Sequence, residues 1–131
     1  MATTPLFTKT FDLVSWLLAE TNHFPRSQRF VVTKRLLDAA LNFQELLVDA
    51  NNRRGRARLD KLDLADAELD KVRLYLRLAW RWKWLSENQY GHGARQVAEV
   101  GRLLGSWKKG TVKKKQAAED RPRRSAAVPP A

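Results

Sequence analysis

The 131-residue sequence predicts an all-α protein, an antiparallel up-down four-helix bundle with a disordered basic C-terminal tail. In four separate segments, apolar residues recur at three- and four-residue spacing, the period of amphipathic helices rather than strands. Short turns join these segments, which favours antiparallel neighbours. After residue 110 the sequence has no Leu, Ile or aromatic residue and is rich in Lys and Arg. We therefore expect a flexible N-terminus over residues 1–6, one bundle over 7–109 and a disordered tail over 110–131.

The first two helices are predicted from their apolar stripes and from one proline. The first helix is expected to begin at Phe7 and to end near Thr21. Pro25 breaks the chain and is favoured in the first turn of a helix, so the second helix is expected to start there. The stripe of the first helix is Phe7, Phe11, Val14, Leu17 and Leu18. The stripe of the second helix is Leu36, Ala40, Phe43, Leu47 and Ala50.

The third helix carries two apolar faces. Residues 51–58 (NNRRGRAR) lack an apolar period and are expected to form a loop, after which the helix runs to Ser86. The face expected in the core is Leu69, Val72, Leu76, Ala79 and Trp80. The second face, on the other side of an arginine row, is Leu74, Leu78, Trp82 and Leu85. Because a monomeric bundle needs only one buried face per helix, the second face predicts an oligomer interface.

The fourth helix is predicted from a start signal and a stripe. Ser86 and Gln89 have the spacing of a capping box, in which each side chain bonds to the other residue's backbone N–H. Gly110 is the expected end of the helix. Two glycines near the start, Gly91 and Gly93, should each cost about 1 kcal/mol relative to Ala, and close helix packing is one interpretation of them. The stripe is Tyr90, Ala94, Val97, Gly101 and Leu104.

Composition excludes several function classes. The chain has no cysteine, which removes thiolate metal sites and fits a reducing, cytoplasmic compartment. We expect neither a membrane span nor a signal peptide, because no apolar run approaches about 18 residues. The two histidines, His23 and His92, have no metal-binding spacing, and no nucleophile motif or phosphate-binding loop is present. We therefore predict no catalytic residue, metal, cofactor or small-molecule substrate.

Positive charge is the strongest functional signal in the sequence. The formal charge is +11, of which +6 lies from Lys108 onward and +5 in the preceding body. Arg73, Arg77 and Arg81 repeat at four-residue spacing, where like charges repel. Arg26 and Arg29 are expected in the first turn of the second helix, the unfavourable end of its dipole for a cation. An anionic partner would turn these costs into gains, although a solvated basic face is the simpler alternative.

We therefore expect the body to bind RNA and DNA through their phosphates. The candidate binding residues are Arg26, Arg29, Arg53, Arg54, Arg56, Arg58, Arg73, Arg77 and Arg81. Three tryptophans, Trp80, Trp82 and Trp84, alternate with Arg81 and Lys83, a pattern that base stacking can use. For Trp80 and Trp82 burial is the simpler explanation, and only Trp84 shares the arginine face.

Four short segments resemble a known bacterial family. They are FPRSQRF (24–30), LRLA (76–79), SENQY (86–90) and AEVGRLLGSW (98–107). This pattern is similar to that of the accessory variability determinant (Avd) proteins of diversity-generating retroelements. A sister group is encoded in intervening sequences of large-subunit ribosomal RNA genes, and the GRLLGSW ending favours the Avd branch.

The resemblance implies a homopentamer of four-helix bundles with a basic surface. It further implies binding to nucleic acid and to a reverse transcriptase, which performs mutagenic reverse transcription of a template-repeat RNA. The family member itself is not catalytic. Two alternatives stay open from the residues alone: a protein-only scaffold whose charge serves solubility or an acidic protein partner, and a general RNA-binding bundle without a reverse transcriptase.

Overall fold

A computed structural model describes residues 3–120 and shows an all-α bundle, which confirms the predicted fold class. Over these residues there is no strand, and two short 3-10 turns, Thr21–His23 and Arg26–Gln28, precede the second long helix. None of the described helices is both long and apolar enough to cross a membrane. The four long helices are α1 (Thr4–Glu20), α2 (Val32–Asn51), α3 (Gly55–Arg81) and α4 (Glu87–Asp120).

Each helix packs against the next in the chain, and α4 also packs against α1, which closes an up-down-up-down ring. Residues 21–31 and 82–86 meet at one end of the bundle, which we call the turn end, where the rings of Phe24 and Trp84 lie 5.6 Å apart. The opposite end, formed by residues 52–58 and 107–120, is called the loop end. There Trp107 of α4 contacts Phe7 of α1 and Arg58 of α3.

The core is a continuous apolar cluster with contributions from all four helices. In α1 the predicted stripe is partly wrong, because Phe11 is 63% exposed and Leu18 is 46% exposed. The buried face instead carries Leu6, Leu13 and Leu17. Leu6 and Leu13 each precede a residue of the predicted stripe by one position in the sequence, so the buried face is rotated about the helix axis relative to the prediction. That face packs against α2 and α4 together and leaves Phe11 toward solvent.

At the loop end, three helix boundaries differ from the predictions. α1 starts at Thr4, so Leu6 of the predicted flexible N-terminus is fully buried. α3 starts at Gly55, inside the predicted loop 51–58, with Gly55 at a φ of 57° that glycine tolerates without strain. α4 continues through Gly110 to Asp120, and Thr111 is buried. The predicted tail is therefore helical up to Asp120, and its remaining part, 121–131, lies outside the described residues.

The end of α3 explains a further correction. The helix stops at Arg81, and Lys83 adopts a φ of 64°, the left-handed conformation typical of helix C-termini. The backbone N–H groups of Trp84 and Leu85 both donate to the carbonyl of Ala79. This reversal directs Leu85 into the core, where it is 2% exposed, so its predicted place in an oligomer interface is wrong.

The start of α4 confirms the predicted capping box. The Ser86 backbone N–H donates to Gln89 Oε1 at 2.8 Å, and the Gln89 backbone N–H donates to Ser86 Oγ at 3.1 Å. These bonds satisfy backbone donors that the first turn would otherwise leave unpaired.

Candidate nucleic-acid interface

The fold divides the nine candidate arginines between the two ends of the bundle. α3 has 27 residues and therefore spans about 40 Å, with Arg56 and Arg58 in its first turn and Arg77 and Arg81 in its last two. Arg26 and Arg29 lie in the turn between α1 and α2, at the same end as Arg81. The structure therefore contains two basic regions rather than one.

Arg26 and Arg29 belong to the turn end, but not to the helix predicted for them. Arg26 lies in a 3-10 turn and Arg29 follows it, while α2 begins only at Val32. The expected conflict between these cations and the dipole of α2 is therefore absent. Both side chains line a shallow hollow with Pro25 and Thr33, and neither forms an ion pair with any residue in 3–120.

The arginine row of α3 splits into one paired and two unpaired side chains. Arg73 Nη1 lies 2.7 Å from Asp70 Oδ1. Arg77 and Arg81 are exposed and have no carboxylate partner among the described residues. Arg77 also lines a groove of about 480 Å³ between α3 and α4, together with Arg73 and Arg102. Three guanidinium groups thus border one groove, and one of them, Arg77, is free to bind an anion.

Gly101 forms part of the floor of this groove. A Cβ atom at Gly101 would come within 2.6 Å of Arg73 Nη2, so the glycine leaves room for the guanidinium to lie across α4. Arg102, at the rim, pairs with Glu99 at 2.7 Å. The hydrogen bond from Arg102 lowers the pKa of the Glu99 carboxyl and raises that of Arg102, so both groups stay ionised near neutral pH.

Tryptophans surround the arginines at the turn end, in positions that partly contradict the predictions. Trp80 was expected in the core but is 41% exposed and stacks on Tyr90, with ring centroids 4.8 Å apart. Trp82 is 66% exposed. Trp84 is half-buried and packs on Phe24 at the edge of the core. Two partly exposed indole rings therefore flank Arg81 and Lys83.

At the loop end, three of the four predicted arginines already have partners. Arg53 Nε lies 3.0 Å from Asp49 Oδ1, and Arg56 pairs with Asp60 at the same distance. Arg58 Nε donates to the carbonyl of Ala50, and its guanidinium lies 5.4 Å from the Trp107 ring centroid. Arg54 has no ion pair among residues 3–120. The expected loop is wrong for Arg58, which lies in α3 and contacts both α2 and α4.

Two functional candidates at the loop end were missed by the sequence analysis. Lys114 and Lys115 were assigned to a disordered tail, but α4 carries them to the same cleft as Arg54 and Arg58. The absence of any Pro or Gly in residues 111–120 and the four-residue spacing of Lys115 and Glu119 were signals for a continuing helix. Those two side chains form an ion pair of 2.7 Å.

The remaining predicted interface residues are Leu74 and Leu78 of α3 and Trp82, which directly follows it. Leu74 is 58% exposed and Trp82 is 66% exposed, whereas Leu78 is half-buried. With Leu85 in the core, the predicted interface is reduced to Leu74, Leu78 and Trp82. His23 and His92 are exposed, and within residues 3–120 no group of three His, Asp or Glu side chains is arranged to hold a metal.

These features define a class of protein: an antiparallel four-helix bundle with a basic surface. A family model described as bAvd-like matches residues 6–111. Since that match covers most of the sequence, the chain belongs to the bAvd-like family, which confirms the resemblance to Avd proteins.

The comparison with solved structures supports the fold but gives no information on function. A crystal structure of a protein with unknown function from the S23 ribosomal protein family of Bacteroides thetaiotaomicron has a TM-score of 0.76 to this chain. The sequences are 21% identical, and the similarity covers 83% of this chain and 99% of that one. No curated protein matches the sequence.

Proposed function

We propose that the chain is a non-catalytic, nucleic-acid-binding accessory protein that assembles as a homo-oligomer. In this proposal it partners a reverse transcriptase in the mutagenic retrohoming of a diversity-generating retroelement. Membership of the bAvd-like family supports the retroelement and the reverse transcriptase. The unpaired arginines at the turn end support binding to nucleic acid.

The observation that carries nucleic-acid binding is the set of unpaired cations at the turn end. Arg26, Arg29, Arg77 and Arg81 have no carboxylate partner among residues 3–120, and Arg77 and Arg81 are one helical turn apart. Two like charges at this spacing destabilise a helix by a few tenths of a kcal/mol. Phosphates would reverse that cost and would release condensed counterions on binding, which drives association. The exposed rings of Trp80 and Trp82 beside them can stack on unpaired bases.

Two exposed apolar residues, Leu74 and Trp82, support assembly into a homo-oligomer. Membership of the family supports the reverse transcriptase as the partner enzyme. Leu74 and Trp82 are 58% and 66% exposed, and exposed apolar side chains that form a contiguous patch mark interaction sites. The pentameric state and the reverse-transcriptase contact rest on the family resemblance. A reverse-transcriptase gene and a repeat pair beside this gene are the expected genomic context.

The test titrates the protein with RNA and with duplex DNA at two ionic strengths. Binding is expected to be largely independent of sequence and to weaken steeply with salt. The double variant R77Q/R81Q should lower the salt slope by about one to two units with the fold unchanged. The matched control is K34Q/K71Q, which removes two cations that pair with Asp38 and Glu68 on their own helices.

The same titration distinguishes the competing function. If the wild-type protein binds neither RNA nor DNA at low salt, its basic surface is only solvated and the protein-only scaffold is the better description. If it binds both but no reverse-transcriptase gene lies nearby, the general RNA-binding bundle is favoured.

A further inference from the structure

The continuation of α4 past Thr111 forms a cleft at the loop end that the bundle alone would not have. α4 has 34 residues and runs alongside the start of α3 to Asp120. The cleft between them has a volume of about 860 Å³. Its lining residues are Arg54, Gly55, Arg58, Thr111, Lys114, Lys115, Ala118 and Glu119.

The lining is strongly cationic. It contains four basic side chains and one acidic one, a sum of +3. The acid, Glu119, is already paired with Lys115. Arg54 and Lys114 have no carboxylate partner in the described part of the chain, so both are available to an external anion. The next residues in the sequence, 121–131, add three arginines and no acidic side chain.

One side of the cleft lies beyond the residues that the family model matches. The bAvd-like match ends at residue 111, and Lys114, Lys115 and Ala118 all follow it. The cleft thus combines residues within the family match, such as Arg54 and Arg58, with residues of α4 that follow it.

We propose that this cleft binds the phosphates of a single-stranded nucleic-acid segment, as a second site separate from the turn end. The proposal rests on the proposed function, since it assumes that the chain binds nucleic acid. A concave volume of this size falls within the range of ligand pockets, about 300–1,000 Å³, and so accepts a few nucleotides of a strand. A duplex presents a convex surface that cannot enter such a cleft. Cationic grooves that follow the backbone are the usual means of binding single strands.

The first test places an acid in the cleft and compares it with the neighbouring position. In the full chain, Ala118→Glu puts a carboxylate at the lining, one turn from Lys114. The control, Ala117→Glu, adds the same charge one turn from Lys113, on a side of α4 that does not line the cleft. Both alanines are exposed and Glu is a good helix former, so circular dichroism should show unchanged folding.

The probe is a 12-nucleotide single strand, as RNA and separately as DNA, with a hairpin of the same composition for comparison. Ala118→Glu should weaken single-strand binding by about five- to tenfold, because a carboxylate replaces solvent beside the phosphates. Ala117→Glu and hairpin binding should change by less than about twofold.

The second test counts the phosphate contacts. R54Q/K114Q should reduce the slope of log affinity against log salt for single strands by about 1.4, since each phosphate contributes about 0.7. K34Q/K71Q removes the same charge elsewhere and should leave the slope nearly unchanged. This variant pair also covers the case in which Ala118→Glu fails to fold.

The outcomes separate the two proposals. Wild-type protein that binds no nucleic acid at low salt overturns both. In a second outcome, the wild-type protein binds nucleic acid and R77Q/R81Q weakens that binding, but Ala118→Glu and Ala117→Glu bind single strands equally well. This outcome overturns only the proposal for the cleft. An effect of Ala118→Glu on single strands that is not seen on the hairpin supports the cleft as a separate site.

Discussion

Gly93 of α4 lies against the indole ring of Trp16 of α1, so closely that a Cβ atom on Gly93 would come within 2.7 Å of two ring carbons. Real Cβ contacts are not this short, so α1 and α4 can pack at this distance only because the position is glycine. The ring of Trp16 also lies 5.4 Å from that of His92. The cost of a glycine within a helix is thus offset by closer helix packing. Gly91 has no such contact, since a Cβ there would meet only the Arg95 guanidinium, at 3.3 Å.

Gly93→Ala should therefore destabilise the bundle, although alanine is the better helix former. We expect a loss of about 1–3 kcal/mol, because the added methyl group forces the packed Trp16 ring out of place. Urea unfolding monitored by circular dichroism measures the change. Gly105→Ala, on the same helix with no atom within 4 Å of its Cβ, is the matched control and should stabilise by about 0.5–1 kcal/mol. Equal effects of the two variants would show that Trp16 does not restrict position 93.

Arg58 is a structural residue as much as a candidate ligand for phosphate. Its Nε donates to the carbonyl of Ala50 at 3.0 Å, and its guanidinium lies over Trp107, so it joins α2, α3 and α4. Arg58→Gln should lower the free energy of unfolding by about 1–2 kcal/mol through the lost hydrogen bond and cation–π contact. Arg56→Gln, exposed and paired only with Asp60, should change it by less than about 0.5 kcal/mol. Similar melting of both variants would contradict the role assigned to Arg58.

The sequence predicted the fold class because the apolar period is a local signal that four helices repeat. The capping box at Ser86 was equally readable, since its bonds join residues three positions apart. The failures occur where tertiary geometry decides. Leu85 was placed by continuing an ideal helix beyond Arg81, and the left-handed Lys83 invalidates that extrapolation. Trp80 lies within α3, but its ring stacks on Tyr90 of α4 and stays 41% exposed. No sequence pattern could show that Gly93 faces Trp16.

The candidate site was predicted less well for the same reason. Charge alone could not tell Arg77, which is unpaired, from Arg73, which is held by Asp70. The charge pattern also could not show that Arg54, in the connection between α2 and α3, lines the same cleft as Lys114 of α4, because 60 positions of sequence separate them. The end of α4 was misplaced because a charged segment without large apolar residues was treated as unable to stay helical.

Stability should depend on pH in the acidic range through Asp49. Hydrogen bonds from Lys61 and Arg53 lower the pKa of Asp49 below its ordinary value of 3.8. A carboxyl whose pKa is lower in the folded state stabilises the fold above the unfolded pKa, and this contribution is lost as pH falls through the folded pKa. The melting temperature should therefore drop as pH falls below about 4. Asp49→Asn should show a smaller drop over that range, and an unchanged pH profile would contradict this account.

Leu74 of α3 and Trp82, which directly follows α3, should determine assembly. Their side chains are 58% and 66% exposed, on the helix face away from the core. A second copy that covers them would remove apolar surface from water, at about 25 cal/mol per Å² buried. Leu74→Glu and Trp82→Glu should each give a folded but smaller species by light scattering, because a buried unpaired carboxylate is costly. Val48→Glu, on α2 and 52% exposed in the single chain, is the control and should leave the mass unchanged. A wild-type protein that is already monomeric would remove the predicted interface, and a Val48→Glu variant that dissociates equally would move it to α2.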